Sequence, residues 1–288
     1  MTKRRTKDTN KRYTSGNPPN FSGQHLLHSK SIVKDIVDIA RISKNDLVLE
    51  LGAGKGAITE ALSNKARKVL AVEYDQKFIN KLNQLEMKNT AIIQQDILKI
   101  SLPREHFVVV SNIPYAITTP IMKMLLNNPA NSFQRGVITM EKGAAKRFTS
   151  TTVKDPYIIA WRMWFDIRYV KDISRKNFSP PPRVDSAIIT IKRKTEPIVP
   201  VNEYLIFWGL VDHILKKPQL PIDLALRGIF TPPQMKHLKR NLKLNDEVPV
   251  AALSEQQWGY LFDTMVKHVP KFRWPKINKA KLNHLIKR

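Results

Sequence analysis

The chain has 288 residues, 42% of them hydrophobic, and a formal net charge of +25. That is enough chain for one large domain, or a main domain with a smaller companion, around a proper core. Cysteine is absent, which excludes disulfides and zinc–thiolate sites and fits a reducing cytoplasm.

Residues 1–20 are polar and basic, with Lys3, Arg4, Arg5, Lys7, Lys11 and Arg12 against Asp8 alone, and are broken by Gly16, Pro18 and Pro19. No apolar signal-peptide run follows. This segment is expected to be disordered until bound. Residues 29–41 place Ile32, Val33, Ile36, Val37 and Ala40 on one helical face.

Strands and helices then alternate. Strands are predicted at 46–50, 68–73, 91–95, 107–111 and 136–140, and helices at 57–66, 75–86, 118–128 and 141–148. This order implies a Rossmann-like α/β fold, a parallel sheet with helices on both faces. Residues 163–170 and 185–193 read as later strands joining one sheet edge. Between them lies 177–184, NFSPPPRV, a rigid loop with three prolines.

Residues 195–200 (TEPIVP) read as a linker. Helical patterns follow at 202–216, 232–242 and 254–268. The expected organisation is a tail over 1–20, a main α/β domain over 21–194, a smaller helical domain over 195–266 and a basic tail over 267–288. That last stretch carries Lys271, Arg273 and Lys276 with no acid, interleaved with Phe272 and Trp274. No run reaches the ~18 apolar residues a membrane span needs. The best candidate, YIIAWRMWFDI, carries Arg162 and Asp166. A soluble cytoplasmic monomer is expected.

Open α/β sheets bind ligands beyond the carboxyl ends of their strands. The first predicted strand runs into E50-L-G-A-G-K-G56. Gly52, Gly54 and Gly56 permit tight turns and close approach of a ligand. Taken alone, this loop is ambiguous. It also satisfies the G-x-G-x-x-G/A dinucleotide pattern, with Glu73 placed to hold a ribose. It lacks the spacing of a P-loop.

The other strand ends discriminate. Glu50 would repel a pyrophosphate but suits a ligand with an ammonium group. Glu73 can accept both hydroxyls of a ribose, and Asp96 can accept an adenine amino group. The fourth strand ends in Asn112-Ile113-Pro114-Tyr115. Together these describe an S-adenosylmethionine site rather than an NAD site. Seven histidines supply no metal-binding spacing beyond His25-x-x-His28, and no metal is expected.

An exocyclic amine on a base is a poor nucleophile, because its lone pair is delocalised into the ring. Acceptors on both N–H bonds bias the nitrogen toward a tetrahedral, more reactive form. The Asn112 side-chain oxygen and a backbone carbonyl, at Ile113 or Pro114, are candidates. Pro114 fixes its own φ and restricts Ile113. Tyr115 offers a ring for stacking, and Phe178 is a candidate to cover the other face. Positioning amine and methyl together can supply about 7–11 kcal/mol. A paired base cannot reach such a pocket, so the target is flipped out or single-stranded.

These motifs resemble those of the ribosomal RNA adenine N6-dimethyltransferases, and most closely the Erm macrolide-resistance methyltransferases. The matching residues are G23-Q24-H25-L26-L27, E50-L-G-A-G-K-G56, Glu73, Asp96, N112-I-P-Y115 and F178-S-P-P-P-R-V184. The resemblance spans about residues 20–265. It implies that Gln24, His25, Leu27 and the Gly52 loop hold the methionine end of S-adenosylmethionine, Glu73 the ribose and Asp96 the adenine. It places methyl transfer at Asn112 to Tyr115. Relatives commonly carry Asn-Phe where this chain has His25-Leu26. The implied substrate is one adenine in the peptidyl-transferase loop of 23S rRNA, and the implied outcome is resistance to macrolides, lincosamides and streptogramin B. A sister group methylates 16S rRNA during small-subunit assembly, and composition cannot separate the two. A non-catalytic nucleic-acid-binding relative is a further alternative. Lys3, Arg4, Arg5, Lys11, Arg12, Lys271, Arg273 and Lys276 are candidate phosphate contacts.

Overall fold

A computed structural model describes residues 25–151, 153–245 and 247–286. The N-terminal cations Lys3, Arg4, Arg5, Lys11 and Arg12, and the candidate Gln24, lie outside the described residues.

The described chain opens with β1 (Leu26–Leu27) and α1 (Lys30–Ala40). The alternation follows: β2 (Leu47–Leu51), α2 (Ala57–Ser63), β3 (Lys68–Glu73), α3 (Gln76–Asn83), β4 (Thr90–Gln94), β5 (Phe107–Asn112), α4 (Thr118–Leu126), β6 (Phe133–Glu141) and α5 (Lys142–Thr149). Next come α6 (Pro156–Trp164), β7 (Phe165–Ile173), β8 (Phe178–Ser179) and β9 (Ser186–Arg193). The C-terminal part is helical: α7 (Tyr204–Ile214), α8 (Ile222–Ala225), α9 (Pro232–Leu242), α10 (Glu255–His268) and α11 (Lys279–Ile286).

Seven strands form one sheet in the order β4-β3-β2-β5-β6-β9-β7. The first five run parallel, and β9 and β7 add antiparallel edges. β1 and β8 make a separate two-stranded sheet. The strand alternation sorts the core into two layers. Leu47, Leu49 and Leu51 face the layer that holds α4 to α7, whereas Val48, Val69 and Val108 face the layer under α1 and α2.

The expected strand at 163–170 starts two residues later. Asp155 caps a helix through the Tyr157 N–H, Pro156 sits in its first turn, and α6 continues to Trp164. Every residue from Ile158 to Trp164 is buried, so no polar face marks the helical period. Arg162 is tolerated there because its guanidinium donates to the carbonyls of Phe148 and Ser150. No described helix is long and apolar enough to cross a membrane.

The helical part shares its core with the sheet. The linker expected at 195–200 is packed: the Ile198 N–H donates to Met163 O, and the Trp164 indole donates to Val199 O at 2.8 Å. Asn127 receives the indoles of Trp161 on its side chain and Trp208 on its carbonyl. Nor is the C-terminal basic stretch a loose tail over the described residues. Pro275 crosses α7 at Gly209, Lys281 pairs with Asp212 at 2.5 Å, and Leu285 is fully buried.

A Cβ on Gly209 would lie 2.4 Å from the Pro275 carbonyl oxygen. Gly209→Ala is therefore expected to destabilise the chain by about 1–3 kcal/mol through overpacking against backbone. In a chain ending at residue 274 the clash is gone, and the same substitution should stabilise by up to about 1 kcal/mol through helix propensity. Urea midpoints of the four proteins check this change of sign.

Candidate functional site

The site begins where two strands part. β2 and β5 pair at Leu47↔Phe107, Val48↔Val108 and Leu49↔Val109, and no further. Beyond that point the Ser111 hydroxyl accepts the Leu51 N–H at 2.7 Å, so the opened ladder leaves no stranded donor. The chain then turns into the glycine loop. Gly52 has φ +85°, and a Cβ there would sit 3.5 Å from Pro114 Cδ. Thus the glycine loop and the 112–115 tetrad lie side by side.

Asn112 is the best-defined element. Its Nδ2 donates to the His25 carbonyl at 3.0 Å. A carbonyl can only accept, so this bond fixes which end of the amide points where. Oδ1 is left buried and without a hydrogen-bond partner. An unpartnered buried acceptor costs free energy unless a ligand supplies the donor. Of the two carbonyls considered, Pro114 O already accepts the Ile117 N–H at 3.2 Å, and Ile113 O accepts no hydrogen bond among the described residues. Ile113 itself is 1% exposed and tied through its N–H to Thr139 O. Ile113 O is therefore the less occupied of the two carbonyls.

Tyr115 is partly buried. Its hydroxyl bonds Ser186 at the start of β9, and its ring lies 5.6 Å from that of His25, tilted by 43°. Burial pushes the phenol upward, the Ser186 bond opposes this, and the charge of Glu141 adds to it. The phenol thus stays neutral. His25 also contacts the Pro180 carbonyl through Nδ1 at 2.8 Å. One residue thereby joins the glutamine–histidine segment, the proline loop and the tetrad.

The acids behave differently from one another. Glu50 points into the apolar layer shared with Val48 and α2, and is 1% exposed. Burial pushes its carboxyl up to about 8; the Thr59 hydroxyl opposes this and the charge of Glu73 adds to it. Oε2 of Glu50 has no hydrogen-bond partner. A cationic ligand group would supply both the missing donor and the missing charge. Glu73 is held by three backbone amides: Gly54 on Oε2 at 2.8 Å, and Tyr74 and Asp75 on Oε1 at 2.8 and 2.9 Å. Three of its roughly four acceptor sites are thus taken. About one acceptor site is left open, enough for a single hydroxyl donor. Asp96 caps a short turn through Oδ1 and Leu98 N, and Oδ2 makes no hydrogen bond among the described residues. These donor and acceptor sets fit S-adenosylmethionine.

The expected stacking face of Phe178 is displaced, and Leu27 is restricted to backbone contacts. Leu27 pairs with Phe178 across β1 and β8, and both side chains are buried, at 6% and 1% exposure. Leu27 can offer only backbone to a ligand. The Phe178 ring is core and presents no open face to a base in this conformation. Strand-level reading missed this because β1 and β8 have two residues each. Lys142, which pairs with Asp172, and Lys146 lie on α5. With Thr149, Ser150, Thr151, Tyr169 and Asp172 they line an open cavity of about 440 Å³. Lys271, Arg273 and Lys276 are exposed on the segment docked over α7.

Residues 18–267 match the family model described as ribosomal RNA adenine dimethylase. A curated relative from Bacillus licheniformis, "rRNA adenine N-6-methyltransferase", is 57% identical over 98% of this chain and 99% of its own length. A "Probable ribosomal RNA small subunit methyltransferase A" from Methanococcus aeolicus is 37% identical over 65% of this chain and 70% of its own. Among solved structures, the 23S rRNA methyltransferase ErmE superposes with a TM-score of 0.76 at 23% identity, covering 84% of this chain and all of that one.

The Glu50 shift makes a stability prediction. Its native carboxyl holds a proton that the unfolded chain has lost, so stability falls as pH rises from about 4.5 to about 8. The slope contributed by one such proton is at most about 1.4 kcal/mol per pH unit. Glu50→Gln should flatten this fall, and urea midpoints of the ligand-free protein across that range check it. Equal pH profiles for the two proteins would show that Glu50 ionises normally.

Proposed function

Since the chain belongs to the ribosomal RNA adenine dimethylase family, we propose that this enzyme methylates N6 of one adenine in the peptidyl-transferase loop of 23S rRNA, conferring macrolide, lincosamide and streptogramin B resistance. The observation that carries the chemistry is the buried, unpartnered Oδ1 of Asn112 beside the Ile113 carbonyl. Two acceptors at the end of a buried strand suit an exocyclic amine with two N–H bonds. For the choice of subunit, support comes from the tetrad and proline-loop resemblance and from coverage. Relatives bearing the rRNA adenine N-6-methyltransferase name match 98% and 88% of this chain, whereas the small-subunit relative from Methanococcus aeolicus matches 65%.

In this reading Glu50 Oε2 receives the ammonium of the cofactor, with Gln24, His25 and the Leu27 backbone beside it. Glu73 takes the ribose, Asp96 takes the adenine, and the glycine loop allows the close approach. When bound, S-adenosylmethionine supplies an electrophilic methyl group from its sulfonium. Asn112 Oδ1 and Ile113 O hold the two amine protons of the target and turn its lone pair out of the ring plane. Tyr115, fixed by Ser186, carries the base on its ring. No strong base is required, because the amine proton becomes acidic as the new N–C bond forms. The target adenine enters flipped or unpaired. Lys271, Arg273 and Lys276, exposed in the C-terminal segment, and the cations of residues 1–12 hold phosphates, and the enzyme works as a cytoplasmic monomer.

The purified protein is expected to transfer labelled methyl to protein-free 23S rRNA, with a primer-extension stop at one adenine, and its expression should lower host susceptibility to macrolides. Labelling of 16S rRNA or of pre-30S particles instead would move the target to the small subunit. Asn112→Ala should lower the transfer rate by about a hundredfold or more while S-adenosylhomocysteine still raises its melting temperature. Full activity in that variant would remove the acceptor role.

A further inference from the structure

The segment after α10 carries the most exposed large hydrophobic side chain among those described, Phe272 at 79%. A single exposed aromatic is ordinary on a protein surface. This one differs in its mounting and its neighbours. Lys271–Arg273 form a tight turn closed by Arg273 N–H to Pro270 O and Trp274 N–H to Lys271 O, at 2.9 and 3.1 Å. Trp274 anchors the turn from below, its indole donating to Val269 O at 2.8 Å. Pro275 then locks against Gly209, and α11 is held by the Lys281–Asp212 pair and by Lys281 over the rings of Tyr157 and Trp208. The Phe272 ring is thus presented on a fixed knuckle rather than on a loose tail.

Cations surround the ring. The Arg273 guanidinium lies 5.7 Å from its centroid, Lys271 lies 6.0 Å from the Trp274 ring, and Lys276 is exposed nearby in sequence. No acid occurs from Lys267 to the end of the sequence. An exposed aromatic face among uncompensated cations matches the two demands of unpaired RNA: a surface for a base and positive charge for its phosphates. A protein partner would need an acidic and apolar patch of unusual composition, and a duplex offers no free base face.

We propose that Phe272 is a stacking platform for one unpaired ribosomal RNA nucleotide, with Lys271, Arg273 and Lys276 holding the flanking phosphates. This is a second RNA contact, made by the C-terminal segment, and it rests on the ribosomal RNA reading above. Because the knuckle is held in place before RNA arrives, little ordering entropy opposes binding. The stacked base contributes through its π face, so the platform tolerates any base and gives affinity rather than sequence choice.

The test uses the full chain with two probes: a 12-nucleotide single-stranded oligouridylate, and a protein-free 23S rRNA transcript containing the peptidyl-transferase loop. Phe272→Ala should weaken binding of both by about tenfold and leave the salt slope unchanged. Phe272→Tyr should restore affinity. Arg273→Ala should instead lower the salt slope by about 0.7 log units, the value for one single-strand phosphate contact. A 12-base-pair duplex should not distinguish Phe272→Ala from the parent. The oligouridylate arm is independent of which ribosomal RNA is methylated, so a small-subunit target would leave this result standing. Unchanged oligouridylate and transcript affinity in Phe272→Ala would overturn the proposal. So would loss of self-association in that variant, seen by sedimentation, with RNA binding intact.

Discussion

The site exists because β2 and β5 separate. Their ladder lasts for three residue pairs, and each strand then bends toward a different neighbour. A parting in a sheet ordinarily strands backbone donors. Here the Ser111 hydroxyl takes the Leu51 amide, and Gly52 and Ala53 donate to the Val72 carbonyl. With these groups satisfied, the crevice can stay open without stranding these backbone donors. The glycine loop on one side and Asn112–Tyr115 on the other are then brought to facing walls. Everything proposed about the chemistry depends on this local break in pairing.

Two of the buried side-chain atoms without a hydrogen-bond partner, Glu50 Oε2 and Asn112 Oδ1, lie at the crevice. Glu50 occupies a position whose strand neighbour Val48 is apolar, and Asn112 continues the register of Val108 and Val110. Both would be better hydrocarbons for stability alone. Oxygens placed there bind donors more strongly than they would in water, because little solvent competes. Stability is given up at two points on adjacent strands, and recognition of charged and hydrogen-bonding groups is gained between them.

Much of this was readable from sequence, for identifiable reasons. Strands such as Lys68–Glu73 carry a branched apolar run ended by an acid, and the predicted bounds coincide with the observed ones. The strand ends carrying Glu50, Glu73, Asp96 and Asn112 follow from the alternation alone. Hidden features depended on long-range partners. The boundary between α6 and β7 lies within a uniformly buried run, where periodicity carries no information. The burial of Phe178 depends on a strand pair of two residues, and the docking of the C-terminal segment on a glycine 66 positions before Pro275. That the Ile117 amide takes the Pro114 carbonyl depends on the turn that follows the tetrad, which residue spacing does not specify.

The bond that aims Asn112 has a kinetic side. Its partner carbonyl belongs to His25, 87 residues earlier in the chain. Contacts of such separation form only after the intervening chain has closed on itself. The sheet can therefore assemble before the Asn112 amide is oriented. A partly folded molecule would hold the glycine loop and the aromatic ring, yet its amide would be free to rotate. The aim of the Asn112 amide thus reports the closing of the N-terminal segment over the sheet.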